Sequence, residues 1–169
     1  MYDFANSGYT TVVITAVYNA YFVAVIAGNA DWASFAWSAA LAVSYLAIML
    51  SAPVIGALAD LSGSKKRLLV VTTLGCILGT AAMAWPQPGQ IAWAMLLIAV
   101  SNYFFGTGEN LIAAFLPELA RGKALGRISG IGWGIGYLGG IVALGCALAY
   151  VSYIQAAGGV LSSSYRVSC

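Results

Sequence analysis

Charged side chains are scarce in this sequence. They make up 7% of its 169 residues, against roughly a quarter in an ordinary soluble domain, while 62% are hydrophobic and the mean hydropathy is +0.90. A chain of that kind partitions into lipid rather than water. Seven Lys and Arg against five Asp and Glu leave a net charge of only +2. No basic face alternates with aromatic side chains as a single-strand binder requires, which excludes nucleic acid as a partner. Histidine is absent, and of the three cysteines Cys76 and Cys146 fall inside apolar stretches while Cys169 ends the sequence. No pair stands at ligand spacing, so a zinc or haem site has no support, no cofactor is implied, and the thiols read as packing residues and a tail. An intramembrane enzyme would need a nucleophile with its base or a metal set, and without histidine or paired acids neither can be built. Also missing is a basic leader, since Met1 is followed by Tyr2-Asp3 and Asn6-Ser7, so the first apolar stretch is not read as a cleaved signal.

Hydropathy over a window of about 19 residues resolves about five stretches long enough for a hydrocarbon core of roughly 30 Å. They run near Tyr9 to Ala27, Phe35 to Leu58, Leu68 to Trp85, Ile91 to Leu116 and Ile128 to Val151. The predicted fold class is therefore an all-α integral membrane protein. Gly28 to Asp31 and Pro86 to Gln90 supply turns on one side, and Asp60 to Arg67 and Arg121 to Arg127 supply them on the other. Lys65, Lys66, Arg67, Arg121, Lys123 and Arg127 all lie in the second group and none in the first, which directs the basic loops and the N-terminus to the cytoplasm. Residues 1–151 form the expected bundle. The remainder, 152–169, is a polar tail read as disordered or as the product of a truncated reading frame, and an odd number of spans would place it outside the cytoplasm. Neither an internal repeat nor a soluble domain is visible.

Between the second and third stretches lies Gly56-Ala57-Leu58-Ala59-Asp60-Leu61-Ser62-Gly63-Ser64-Lys65-Lys66-Arg67-Leu68. It must end one helix, place an acid near a neighbouring helix end and gather cations on one side, the demands of a gate between moving helices. Gly56, Asp60, Gly63, Lys65 and Lys66 form this candidate gating loop, the two glycines for close approach and a tight turn. The competing reading is a plain loop whose cations only set topology. Polar residues at helical spacing mark a candidate solute or proton path: Thr11, Thr15, Tyr18 and Asn19 in the first stretch, and Asn102 and Glu109 with Gly106 in the fourth. For the hydroxyls, bonds to backbone carbonyls are an equal alternative, and Asp3 and Asn6 suit capping of the first helix. Glu109 is ionisable at membrane depth, which makes function its default reading. The fifth stretch is rich in glycine, and Gly132, Gly136, Gly139 and Gly140 are read as helix-packing positions.

Gly56, Leu58, Asp60, Gly63, Lys65 and Leu68 resemble the signature loop between the second and third helices of the major facilitator superfamily. Tyr2-Asp3-Phe4-Ala5-Asn6-Ser7, Ala52-Pro53-Val54-Ile55-Gly56, Phe115-Leu116-Pro117-Glu118 and Gly136-Tyr137-Leu138-Gly139-Gly140 look like its branch of vacuolar amino-acid effluxers and their bacterial relatives. The resemblance extends to about Val151. It implies about twelve spans in two six-helix halves, of which this chain is similar to most of the N-terminal one. The sixth helix and the C-terminal half would then be missing partners, and the chain a fragment or the product of an early stop. Leu61 and Ser64 depart from the basic residues common in the loop. By resemblance, Asp60 engages a helix end of the other half, and the first and fourth helices line the central cavity. The antiporter Gly-Pro pair is lacking from the fifth stretch, so antiport has no support. The function implied is secondary active transport of a small solute, such as amino acids in the efflux direction, by alternating access, with protons as a further candidate partner. The alternative is a nonfunctional fragment or a membrane assembly subunit. Either is a multi-pass protein of the lipid bilayer, in the cytoplasmic membrane if bacterial or the vacuolar membrane if fungal.

Overall fold

The computed structural model describes residues 2–119 and 123–166, and every regular element among them is helical. The first apolar stretch is one helical run of mixed register. It comprises α1 (Tyr2–Gly8), a π-helical segment (Tyr9–Ala16), α2 (Val17–Tyr21) and a second π-helical segment (Phe22–Ile26). Then follow α3 (Ala33–Ser62), α4 (Lys65–Ala82), α5 (Ile91–Leu119) and α6 (Lys123–Arg166). By length and composition Asn6–Ile26, Ala33–Leu61, Ile91–Phe115 and Gly126–Ile154 can each cross a membrane. The chain is a multi-pass, all-α integral membrane protein.

Two expectations change. The third stretch becomes α4, which begins at Lys65 and stops at Ala82, so its first turn carries Lys65, Lys66 and Arg67. Its apolar part, Leu68 to Ala82, covers about 22 Å at 1.5 Å per residue, so as a span it is shorter than the average hydrocarbon core of roughly 30 Å and is matched by the apolar Met83 to Trp85 turn and by local thinning of the bilayer. The fifth helix, in turn, does not break after Val151 but runs on to Arg166. No proline interrupts this sequence, and polar residues alone do not end a helix.

The turns are short because residues able to adopt left-handed backbone sit at them. Gly63, at φ 59°, ends α3, and the expected loop from Asp60 to Arg67 shrinks to Gly63 and Ser64. Gly28 (φ 61°), Asn29 (φ 57°) and Gly89 (φ 87°) serve the other turns, a conformation that costs glycine little. The Gly89 amide donates to the Ile26 carbonyl at 2.9 Å, which ties two of these turns together.

The chain divides into two compact units, residues 19–129 and residues 1–18 with 130–169. In the first, α5 packs against both α3 and α4, which touch each other little. Small residues permit this: a Cβ on Gly79 would fall 3.1 Å from Ser101 Cα, and one on Gly106 2.5 Å from Ile48 Cδ1. Phe22 and Trp37 fill its core with ring centroids 5.5 Å apart. In the second unit, Gly139 lies against the Phe4 carbonyl, Gly140 against Thr11 Oγ1, and Gly8 beside Ala143. Gly136 is buried and Gly132 half-buried. Large apolar side chains such as Leu50, Leu78 and Ile141 are exposed, an arrangement suited to lipid.

Candidate functional site

The candidate gate is built from two helix ends and one aromatic ring. Asp60 lies in the last turn of α3 and Lys65 opens α4, so each charge sits at the helix end whose partial charge repels it, at a cost of about 0.3 to 1 kcal/mol. Across the Gly63–Ser64 turn the two meet: Lys65 Nζ stands 2.7 Å from Asp60 Oδ1. The partners differ in environment, with Lys65 16% exposed and Asp60 69% exposed. Phe115 of α5 explains the difference, because the Lys65 ammonium lies 6.0 Å from its ring centroid and gains a cation–π contact as well as shelter. An ion pair so open to solvent contributes less than about 1 kcal/mol.

Beneath it, a cavity of about 80 Å³ is bordered by Gly56, Ala59 and Asp60 of α3 and by Thr107, Asn110 and Leu111 of α5. The close helix approach expected at Gly56 is not made by any described residue; a Cβ there would meet open space, because α5 stands off and leaves the cavity. Further along the same seam the helices are bonded. Asn102 Nδ2 donates to Ser44 Oγ at 2.6 Å, Ser44 Oγ donates to the Leu41 carbonyl at 2.8 Å, and Tyr103 donates to Ser51 at 3.1 Å. Asn102, expected along an open path, has 0% exposure and faces α3. Its Oδ1 has no hydrogen-bond partner among the described residues. Gly106 shares that face through Ile48, and Glu109 is half-buried.

The hydroxyls of the first helix bond its own backbone. Thr11 Oγ1 donates to the Ser7 carbonyl and Thr15 Oγ1 to the Thr10 carbonyl, both at 2.9 Å. The second of these spans five residues, the i→i+5 spacing of a π-helix, a form frequent at functional sites. Thr15 is exposed, while Thr11, Tyr18 and Asn19 are half-buried. Thr11, Thr15 and Tyr18 belong to one unit and Asn19, Asn102 and Glu109 to the other. Arg121 and the side chains of Asp3 and Lys123 lie outside the described residues. Among the described residues no group of three His, Cys, Asp or Glu could hold a metal ion.

The family model described as "Vacuole effluxer Atg22 like" matches residues 15–168. The chain belongs to that family. This Atg22-like chain is 28% identical over 161 residues to the uncharacterized MFS-type transporter YxiO of Bacillus subtilis, covering 92% of the chain and 37% of the relative. It is 31% identical over 130 residues to the ectoine/proline transporter ProP of Corynebacterium glutamicum, covering 72% of the chain and 25% of the relative. It thus spans about a third and a quarter of the lengths of these relatives. No solved structure matches the chain. The superfamily assignment drawn from the loop motif holds, and the family match runs beyond Val151 through most of the segment read as a polar tail.

Two residues of the candidate site were missed by sequence reasoning. Phe115 had been noted only as part of a family segment, and nothing in its spacing ties it to Lys65, since α4 and most of α5 intervene. Ser44 sits in an apolar helix where a lone hydroxyl carries no signal until Asn102 is seen beside it.

Proposed function

We propose that this chain forms part of a secondary transporter that moves a small, amino-acid-like zwitterion out of a compartment by alternating access. The Asp60–Lys65 latch carries the reading. It joins two membrane-embedded helices across a two-residue turn, and it is weak enough to exchange partners during a cycle. Family membership supports the transport class and the outward direction, and the printed name of the proline-transporting relative supports a zwitterion. Glu109, half-buried on α5, is the group proposed to carry a proton, and Thr15 and Tyr18 the residues proposed to meet solute. The bilayer and the remaining length seen in the relatives are the partners this mechanism needs.

Vesicles holding the complete transporter and preloaded with labelled proline, glutamate or lysine test the proposal. Saturable efflux of the zwitterion, slowed severalfold by Asp60→Asn, is the expected result. Absence of saturable movement for every solute would overturn it and favour a membrane assembly subunit.

A further inference from the structure

Three consecutive cations open α4, and the helix divides them. Lys65 turns inward and is held by Asp60 and Phe115. Lys66 and Arg67 are exposed, and neither makes an ion pair among the described residues. One turn further along the same side, Lys66 is followed by Val70 and Arg67 by Val71, with Leu74 beyond, at i+4 and i+7. These three are 56%, 58% and 53% exposed. The opposite side of α4 is occupied: Thr72 and Gly79 are buried, and Gly75 and Gly79 lie against Phe104 and Ser101 of α5.

We propose that this outward side of α4 seats an anionic phospholipid, its phosphate on Lys66 and Arg67 and an acyl chain along Val70, Val71 and Leu74. The shape of the surface selects that occupant. A soluble anion would meet the cations and leave the apolar strip uncovered, whereas another apolar helix would cover the strip and leave two cations unanswered. An amphiphile with a negative head answers both. The short apolar length of α4 places the cations at headgroup depth rather than beyond it. Among the described residues the one acid beside them, Asp60, is already engaged by Lys65.

Native mass spectrometry of the purified chain in detergent, titrated with phosphatidylglycerol or phosphatidylcholine, tests the assignment. The unmodified chain is expected to retain phosphatidylglycerol in preference by roughly tenfold, as two cations near one anionic headgroup allow. Lys66→Gln with Arg67→Gln should erase that preference while Arg127→Gln, at a different exposed cation, leaves it intact. Circular dichroism verifies helicity, and the two single variants, each expected to lose part of the preference, report if the double variant misfolds. Equal retention of both lipids by the unmodified chain, or a preference that survives the double substitution, would overturn the assignment. So would displacement of the lipid by glycerol phosphate at equal concentration, since that marks a site for a soluble anion. A lipid-free dimer that loses its contact on Val71→Ser would assign the strip to a second copy instead.

Discussion

The bond between Asn102 and Ser44 joins α3 to α5, yet it leaves Asn102 Oδ1 buried without a partner among the described residues. Replacing each end should therefore have opposite results. Asn102→Leu keeps the branch at Cγ, forfeits one interhelical bond of about 0.6 to 1.7 kcal/mol and removes a buried unsatisfied oxygen that costs about 1 to 3 kcal/mol. The Ser44 hydroxyl still donates to Leu41. The balance runs from about 0.7 kcal/mol less stable to about 2.4 kcal/mol more stable, before any cost of fitting the larger side chain. Ser44→Ala strands Nδ2 beside an oxygen already unpaired and should destabilise by about 1 to 3 kcal/mol. In the Asn102→Leu background that second change should cost little, because its partner is gone. Unfolding by dodecyl sulfate titration, followed by tryptophan fluorescence and far-ultraviolet dichroism, measures all corners of the cycle. Loss of more than about 2 kcal/mol on Asn102→Leu, with Ser44→Ala silent, would refute the reasoning.

Three other outcomes are expected. In a background without native cysteines, an impermeant thiol reagent outside intact cells should modify a cysteine at Gln87 and not one at Lys65; the reverse pattern would invert the orientation drawn from the basic turns. In the complete transporter, Glu109→Gln should insert normally while losing the pH dependence of transport or most of its rate, and an unchanged pH profile in vesicles would remove Glu109 from the mechanism. Within α6, Gly134→Ala faces open space among the described residues and should stabilise the chain by up to about 1 kcal/mol through helix propensity. Gly139→Ala drives a methyl into the Phe4 carbonyl and should destabilise; thermal unfolding in detergent separates the two.

What could be read beforehand followed from properties that act locally. Apolar length located the spans, and Gly63 marked a turn because few other residues accept its backbone. The extent of that turn was hidden, since Asp60 and Lys65 look like loop residues although helices tolerate charge at their ends. Periodicity put Asn102 and Gly106 on one face correctly but says nothing of which neighbour that face meets, and the neighbour is α3 rather than an open path. The π-helical segments fall within an apolar stretch whose hydropathy alone does not separate an i→i+5 ladder from an α-helix. Phe115 reaches Lys65 only through the tertiary fold.

The position of α5 bears on how the molecule is made. Synthesis delivers α3 and α4 before the helix that joins them, so for an interval both stand in lipid with hydroxyls exposed to hydrocarbon. Ser44 and Thr80 endure that interval by donating to carbonyls of their own helices, those of Leu41 and Cys76. When α5 arrives, Asn102 and Ser101 engage the same hydroxyls without displacing those bonds. These two hydroxyls are thus already bonded within their own helices, and the late helix joins them without breaking those bonds.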